Sequence, residues 1–106
     1  MLPQHLRLRR SADFASVIRS GARHRRPSLI LYTQPATAPQ FGVVVSKMVG
    51  NAVTRNRVKR VLRHQAAALL GQGQPLLAVA RALPKAADSK DLASDLRLAW
   101  PSTQQQ

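Results

Sequence analysis

Apolar residues along this chain recur with two different periods, and the places where the period changes divide it into elements. Phe14, Val17 and Ile18 fall at i, i+3 and i+4, with Ser11 placed to cap and Gly21 to stop, so a short amphipathic helix is expected there. The basic run Arg23-His24-Arg25-Arg26 reads as a loop ending at Pro27. Leu29 to Thr33 is apolar and β-prone, and Phe41 to Ser46 is a second such run rich in valine; both predict strands, with Pro35 and Pro39 bounding the first. Met48-Val49-Gly50-Asn51 marks a turn. From about Ala52 to Leu70 the period becomes helical, with Val58, Val61, Leu62 and Leu69 on one side and Gly71 and Gly73 to end it. Leu76 to Ala80 is a third strand closed by Pro84. A last helix, capped by Asp88 or Ser89, carries Leu92, Leu96 and Ala99 inward and ends at Trp100-Pro101.

That order of elements predicts an α+β fold in which helices pack on a small sheet as a two-layer sandwich. The 106 residues suit a single domain, 1–106, with residues 101–106 as a flexible, glutamine-rich tail. Phe41 to Ala80 forms a strand, crossover helix and strand, for which the general rule gives a right-handed connection.

Charge changes the picture more than anything else in the composition. Seventeen Lys and Arg stand against four acids, a formal charge of +13, and no acidic side chain occurs between Phe14 and Ala87. Such self-repulsion opposes compaction unless a polyanion neutralises it. Nucleic acid is the first candidate partner and an anionic membrane surface the second. The membrane reading is weakened because no apolar run approaches the ~20 residues that span a bilayer, and no signal-peptide pattern is visible at the N-terminus; a cytoplasmic location is expected. With no cysteine there is no thiolate chemistry and no common zinc framework. His5, His24 and His64 lack the spacing and companions of a metal site.

The segment Gly42 to His64, GVVVSKMVGNAVTRNRVKRVLRH, carries the candidate chemistry. On a helix, Arg55, Lys59 and Arg63 line up at i, i+4 and i+8, with Asn56 and Arg60 beside them and Arg57 farther round. Like charges so stacked repel, and no acids are interspersed to relieve them, so the face suits phosphates; arginine can grip these through two hydrogen bonds, and Asn56 can reach sugar or base. The Gly50-Asn51 turn can bring backbone N–H groups towards a phosphate, and Lys47 precedes it. Phe14, Phe41 and Trp100 read as core by periodicity, while Tyr32 can face either way. With neither carboxylate nor thiol in the middle of the chain, side-chain catalysis is not expected, and any phosphodiester hydrolysis would need metal ligands from another molecule.

These residues resemble the bacterial ribonuclease P protein family. The resemblance rests on Ser46-Lys47, Val49-Gly50-Asn51-Ala52-Val53 and the "RNR" helix Arg55-Asn56-Arg57-Val58-Lys59-Arg60, supported by Leu2-Pro3, Arg10-Ser11-Ala12-Asp13-Phe14, Leu31-Tyr32 and Val79-Ala80-Arg81. Ile18 stands where an aromatic is frequent, Met48 where a second lysine is common, and His64-Gln65 in place of an acidic residue. The resemblance implies a ribosomal-protein-like domain whose crossover around the RNR helix is left-handed, against the general rule. It implies an accessory subunit: the RNA subunit would hold Mg²⁺ and cleave, while the protein binds that RNA and the 5′ leader of precursor tRNA, with no obligate protein partner. By matching position, Lys47, Asn51 and the RNR helix with Arg63 would face the catalytic RNA, and Phe14, Tyr32 and Arg81 would line a leader-binding cleft. A ribosomal protein is the main rival, explaining the charge but not the joined motifs. A DNA-binding module ranks next, and a stand-alone nuclease last.

Overall fold

The computed structural model describes residues 2–71, 75–88 and 90–101. The expected tail from 102 onward, Gly73 as a helix stop and Ser89 as a cap lie outside the described residues. Three helices, α1 (Ser11–Ser20), α2 (Ala52–Leu70) and α3 (Leu92–Ala99), accompany four strands, β1 (Ala22–Arg25), β2 (Leu29–Pro35), β3 (Gln40–Val44) and β4 (Leu76–Ala82). Short 3-10 turns at Gln4–Leu6 and Pro84–Ala87 complete the chain. The sheet order is β1-β2-β4-β3, with β1-β2 and β2-β4 antiparallel and β3 parallel to β4 through α2. The expected α+β class, with helices on a small sheet, is therefore observed.

The helices divide unevenly between the two faces of the sheet. Leu29, Leu31, Ala78 and Ala80 alternate onto the face where α2 (Val58, Leu62, Ala66) and α3 (Leu92, Leu96, Ala99) build the larger core. Phe41 joins it, 1% exposed, with its ring centroid 6.2 Å from that of Trp100. On the opposite face α1 lies alone, and Val17 packs with Ile30, Tyr32 and Val79, edged by Phe14 and Ile18.

Several sequence expectations are corrected. The basic run at 23–26 is not a loop: Ala22–Arg25 is an edge strand whose partners run from Ala22↔Thr33 to Arg25↔Ile30. Its pairing with β2 outweighs the run's poor strand propensity. Ser11 is the first helical residue of α1 rather than its cap, which is Arg10. Gly21 does end α1, but with φ −74° rather than in the left-handed region. Its role is steric, since a Cβ there would lie 2.5 Å from Val17 O and 2.7 Å from Thr33 O. Asp91, not Asp88, occupies the N-cap position of α3.

The β1-β2 hairpin is locked to α3 by a buried polar cluster. Reciprocal backbone bonds join Arg26 and Leu29, placing Pro27 and Ser28 at the tip. Ser28 is fully buried, and a buried loop must satisfy its polar groups from within. Ser28 N–H and Oγ–H both donate to Asp95 Oδ2, at 3.1 and 2.6 Å, and Leu83 N–H donates to Ser28 O. Arg26 Nε stands 3.8 Å from the other carboxylate oxygen. Asp95 occupies the i+3 position of the inward stripe Leu92, Leu96, Ala99, so an acid at an otherwise apolar position was the sequence signal for this cluster.

Candidate nucleic-acid interface

The basic face forms because α2 buries one stripe and leaves the other to solvent. Val58, Leu62, Ala66 and Leu69 are buried, which turns Asn56 and Arg60 fully outward and leaves Arg55, Lys59 and Arg63 half-exposed. Asn56, Lys59, Arg60, Arg63 and His64 line a groove of about 380 Å³. Arg55 stands one turn before this groove, with its Nε buried and unpartnered.

Not every cation of the expected set is equally free. Arg57 donates from Nη2 to Ala87 O, tying α2 to the 3-10 turn Pro84–Ala87. A guanidinium has five donors, so one engaged contact leaves others available. Asn51 caps α2, its Oδ1 accepting from Thr54 N–H at 2.9 Å, so one orphan amide of the helix start is already satisfied. The Asn51 side-chain NH₂ makes no hydrogen bond among the described residues. Lys47 lies exposed in the preceding turn, where Val49 and Gly50 N–H donate to Ser46 O and Lys47 O. Arg63 has its pKa lowered from the ordinary arginine value, first by burial and then by the charge of Arg7, and it remains a cation.

Phe14, Tyr32 and Arg81 all belong to the α1 side of the sheet. Tyr32 is 7% exposed beneath α1, and Phe14 is half-buried at its edge. Phe14 occupies space that Gly42 leaves: a Cβ at position 42 would lie 2.4 Å from Phe14 Cζ and 3.2 Å from Leu8 Cβ. Gly42→Ala is therefore expected to push the ring outward and destabilise the fold by about 1–3 kcal/mol, read as a lower denaturation midpoint at unchanged slope; an unaltered midpoint would show that the ring moves aside freely.

Beyond Gly42 the next row across the sheet reads Arg25, Ile30, Arg81, Val44. Arg81 and Arg25 are exposed and flank the buried Ile30, making an apolar floor between two guanidinium groups. Arg25 and Arg23, which pairs with Tyr32, lie on the same strand beside this row, a placement that a loop at 23–26 does not give. The alternation Ala22-Arg23-His24-Arg25 was the available signal for a strand.

Among the described residues no three His or Asp side chains come together as metal ligands, and no helix is long and apolar enough to cross a membrane.

Comparison with known proteins agrees with this picture. The sequence matches the family Ribonuclease P over residues 2–103. The ribonuclease P protein component of Pseudarthrobacter chlorophenolicus is 46% identical, covering 97% of this chain and 80% of the relative. That of Mycobacterium sp. (strain KMS) is 39% identical, covering 95% of each. Among solved structures, the RNase P protein of Staphylococcus aureus superimposes with a TM-score of 0.81 at 24% identity, over 89% of this chain and 91% of that one. The Thermotoga maritima protein gives 0.64 at 21% identity, over 86% and 80%.

Proposed function

The chain belongs to the ribonuclease P protein family, and we propose that it serves as the RNA-binding accessory subunit of that enzyme, assisting Mg²⁺-dependent removal of the 5′ leader from precursor tRNA. The observation that carries this reading is the acid-free basic face of α2, presented as a groove by a helix whose other side is fixed in the core.

In this reading Arg55, Asn56, Lys59, Arg60 and Arg63, with Lys47 and Asn51 at the helix start, hold the catalytic RNA through its phosphates. Arg57 contributes both there and to positioning α2 against the Pro84–Ala87 turn. The leader lies across the sheet beside α1, its phosphates between Arg25 and Arg81 and a base against the exposed edge of Phe14. Tyr32 supports that wall from below, since little of its ring is accessible.

The residues of this chain do not suit a protein-borne magnesium site. Asp95 is committed to Ser28 and Arg26, and the described acids and histidines form no cluster. In this proposal magnesium is held by the RNA, and what the protein supplies is positive charge that lowers phosphate repulsion and a surface that orients the strand. The cytoplasm, as the place of tRNA maturation, is part of the same proposal.

The test is reconstitution. Mixed with a bacterial ribonuclease P RNA at low Mg²⁺, the protein is expected to raise cleavage of a precursor tRNA well above RNA alone, and to cleave nothing by itself. Absence of stimulation, with folded protein and active RNA, would instead favour a structural RNA-binding role.

A further inference from the structure

A second basic groove lies at the outer edge of β3, away from the helix face and the sheet cleft. The N-terminal segment runs along that edge, where Arg7 bridges to Phe41 in parallel and Leu8 N–H donates to Phe41 O. His5, Arg7, Arg9, Arg10, Asp13 and Gln40 line a groove of about 640 Å³ between this segment and the start of α1. Arg9 and Arg10 are exposed and, among the described residues, have no ion pair; Asp13, the acid on the rim, has none either. Three arginines against one carboxylate make the groove strongly positive. Arg7 is held in place by donation from its Nε to Leu2 O at 3.2 Å, which leaves its terminal amino groups for a ligand.

Arg7 also stands close enough to Arg63 for its charge to depress the Arg63 pKa. Two guanidinium groups so placed repel, and a phosphate between them would turn the repulsion into attraction. Arg7 lines the N-terminal groove and Arg63 the α2 groove, so the charge of each groove is felt at the other.

We propose that the groove lined by His5, Arg7, Arg9 and Arg10 is a second phosphodiester-binding site, occupied by the same RNA subunit that lies on α2. This rests on the reading of α2 as an RNA-binding face. The ligand chemistry is that of a nucleic-acid backbone: Arg9 and Arg10 bind phosphate oxygens, and Gln40 and His5 offer further hydrogen bonds to sugar or phosphate.

The experiment measures the salt dependence of binding to ribonuclease P RNA for four proteins. These are the unaltered chain, Arg9→Ala/Arg10→Ala, Arg55→Ala/Arg60→Ala, and a charge-matched control, Arg19→Ala/Arg97→Ala, placed on exposed sites outside both grooves. Circular dichroism confirms folding of each. The groove variant is expected to flatten the slope of log K against log salt by roughly 1.4–1.8, for two lost phosphate contacts, while the control changes it far less. It should leave the preference for leader-bearing over mature tRNA unaltered. An unchanged slope, or one matched by the control, would overturn the second site; if Arg55→Ala/Arg60→Ala still flattened it, the α2 reading would stand without it. Selective loss of leader preference would also overturn the proposal, by assigning the groove to the precursor. If only the groove variant responded, the α2 reading would fall, and with it the proposal of a second site beside α2.

Discussion

Asp95→Ala is expected to lower the thermal midpoint by roughly 12–24 °C. The carboxylate is 5% exposed and accepts from both donors of a fully buried Ser28. Its removal leaves the Ser28 amide N–H and hydroxyl without their acceptor and the Arg26 guanidinium without its counter-charge. Orphaned buried donors cost about 1–3 kcal/mol each, and breaking a buried charged pair about 3–5. Because Arg26 is partly exposed, about 3 kcal/mol is the reasonable total, and a domain of this size loses about 4–8 °C per kcal/mol. Asp95→Asn keeps one acceptor oxygen and should fall between the two. Melting followed by circular dichroism at fixed salt decides the matter, since anions that bind the cationic native state would otherwise move the midpoint. A shift under about 3 °C would mean that the hairpin tip rehydrates at little cost.

Arg55→Ala/Arg60→Ala is expected to weaken binding to ribonuclease P RNA by at least about a hundredfold, each charge-assisted hydrogen bond being worth about 1.5–3 kcal/mol. The same variant should reduce the slope of log K against log salt by about 1.4–1.8 while leaving the thermal midpoint nearly unchanged. Neither residue is part of the apolar stripe, so stability and affinity separate. Loss of affinity at constant slope would indicate that the arginines act on the shape of α2 rather than on phosphates.

Much of the fold was legible in local pattern. The α2 boundaries at Ala52 and Leu70 coincide with the helical period, because one long amphipathic stripe meets a capping residue at one end and glycine at the other. The strands around Leu29, Phe41 and Leu76 were found as apolar runs, each extended or shortened by one or two residues at its ends. β1 was not found, because its four residues include two arginines and a histidine and gain their strand conformation only by pairing with β2. The Ser28–Asp95 cluster joins residues 67 apart in sequence, a separation that no local window spans.

The candidate site shows the same division. The alignment of Arg55, Lys59 and Arg63 follows from helix geometry and was fully readable. That Arg57 is tied to Ala87 O, that Asn51 caps α2, and that Gly42 makes room for Phe14 depend on what other segments bring to those positions.

By itself, the sequence determined the elements with strong period, the basic face of one helix, and the large excess of positive charge; these depend on spacing and composition, which a linear chain already contains. The tertiary structure alone decided which arginines remain free, which face of the sheet each aromatic shares, and that Arg7 and Arg63 feel each other's charge. Those outcomes arise from long-range packing and from the Coulomb energy of groups distant in sequence, quantities that exist only once the chain has closed on itself.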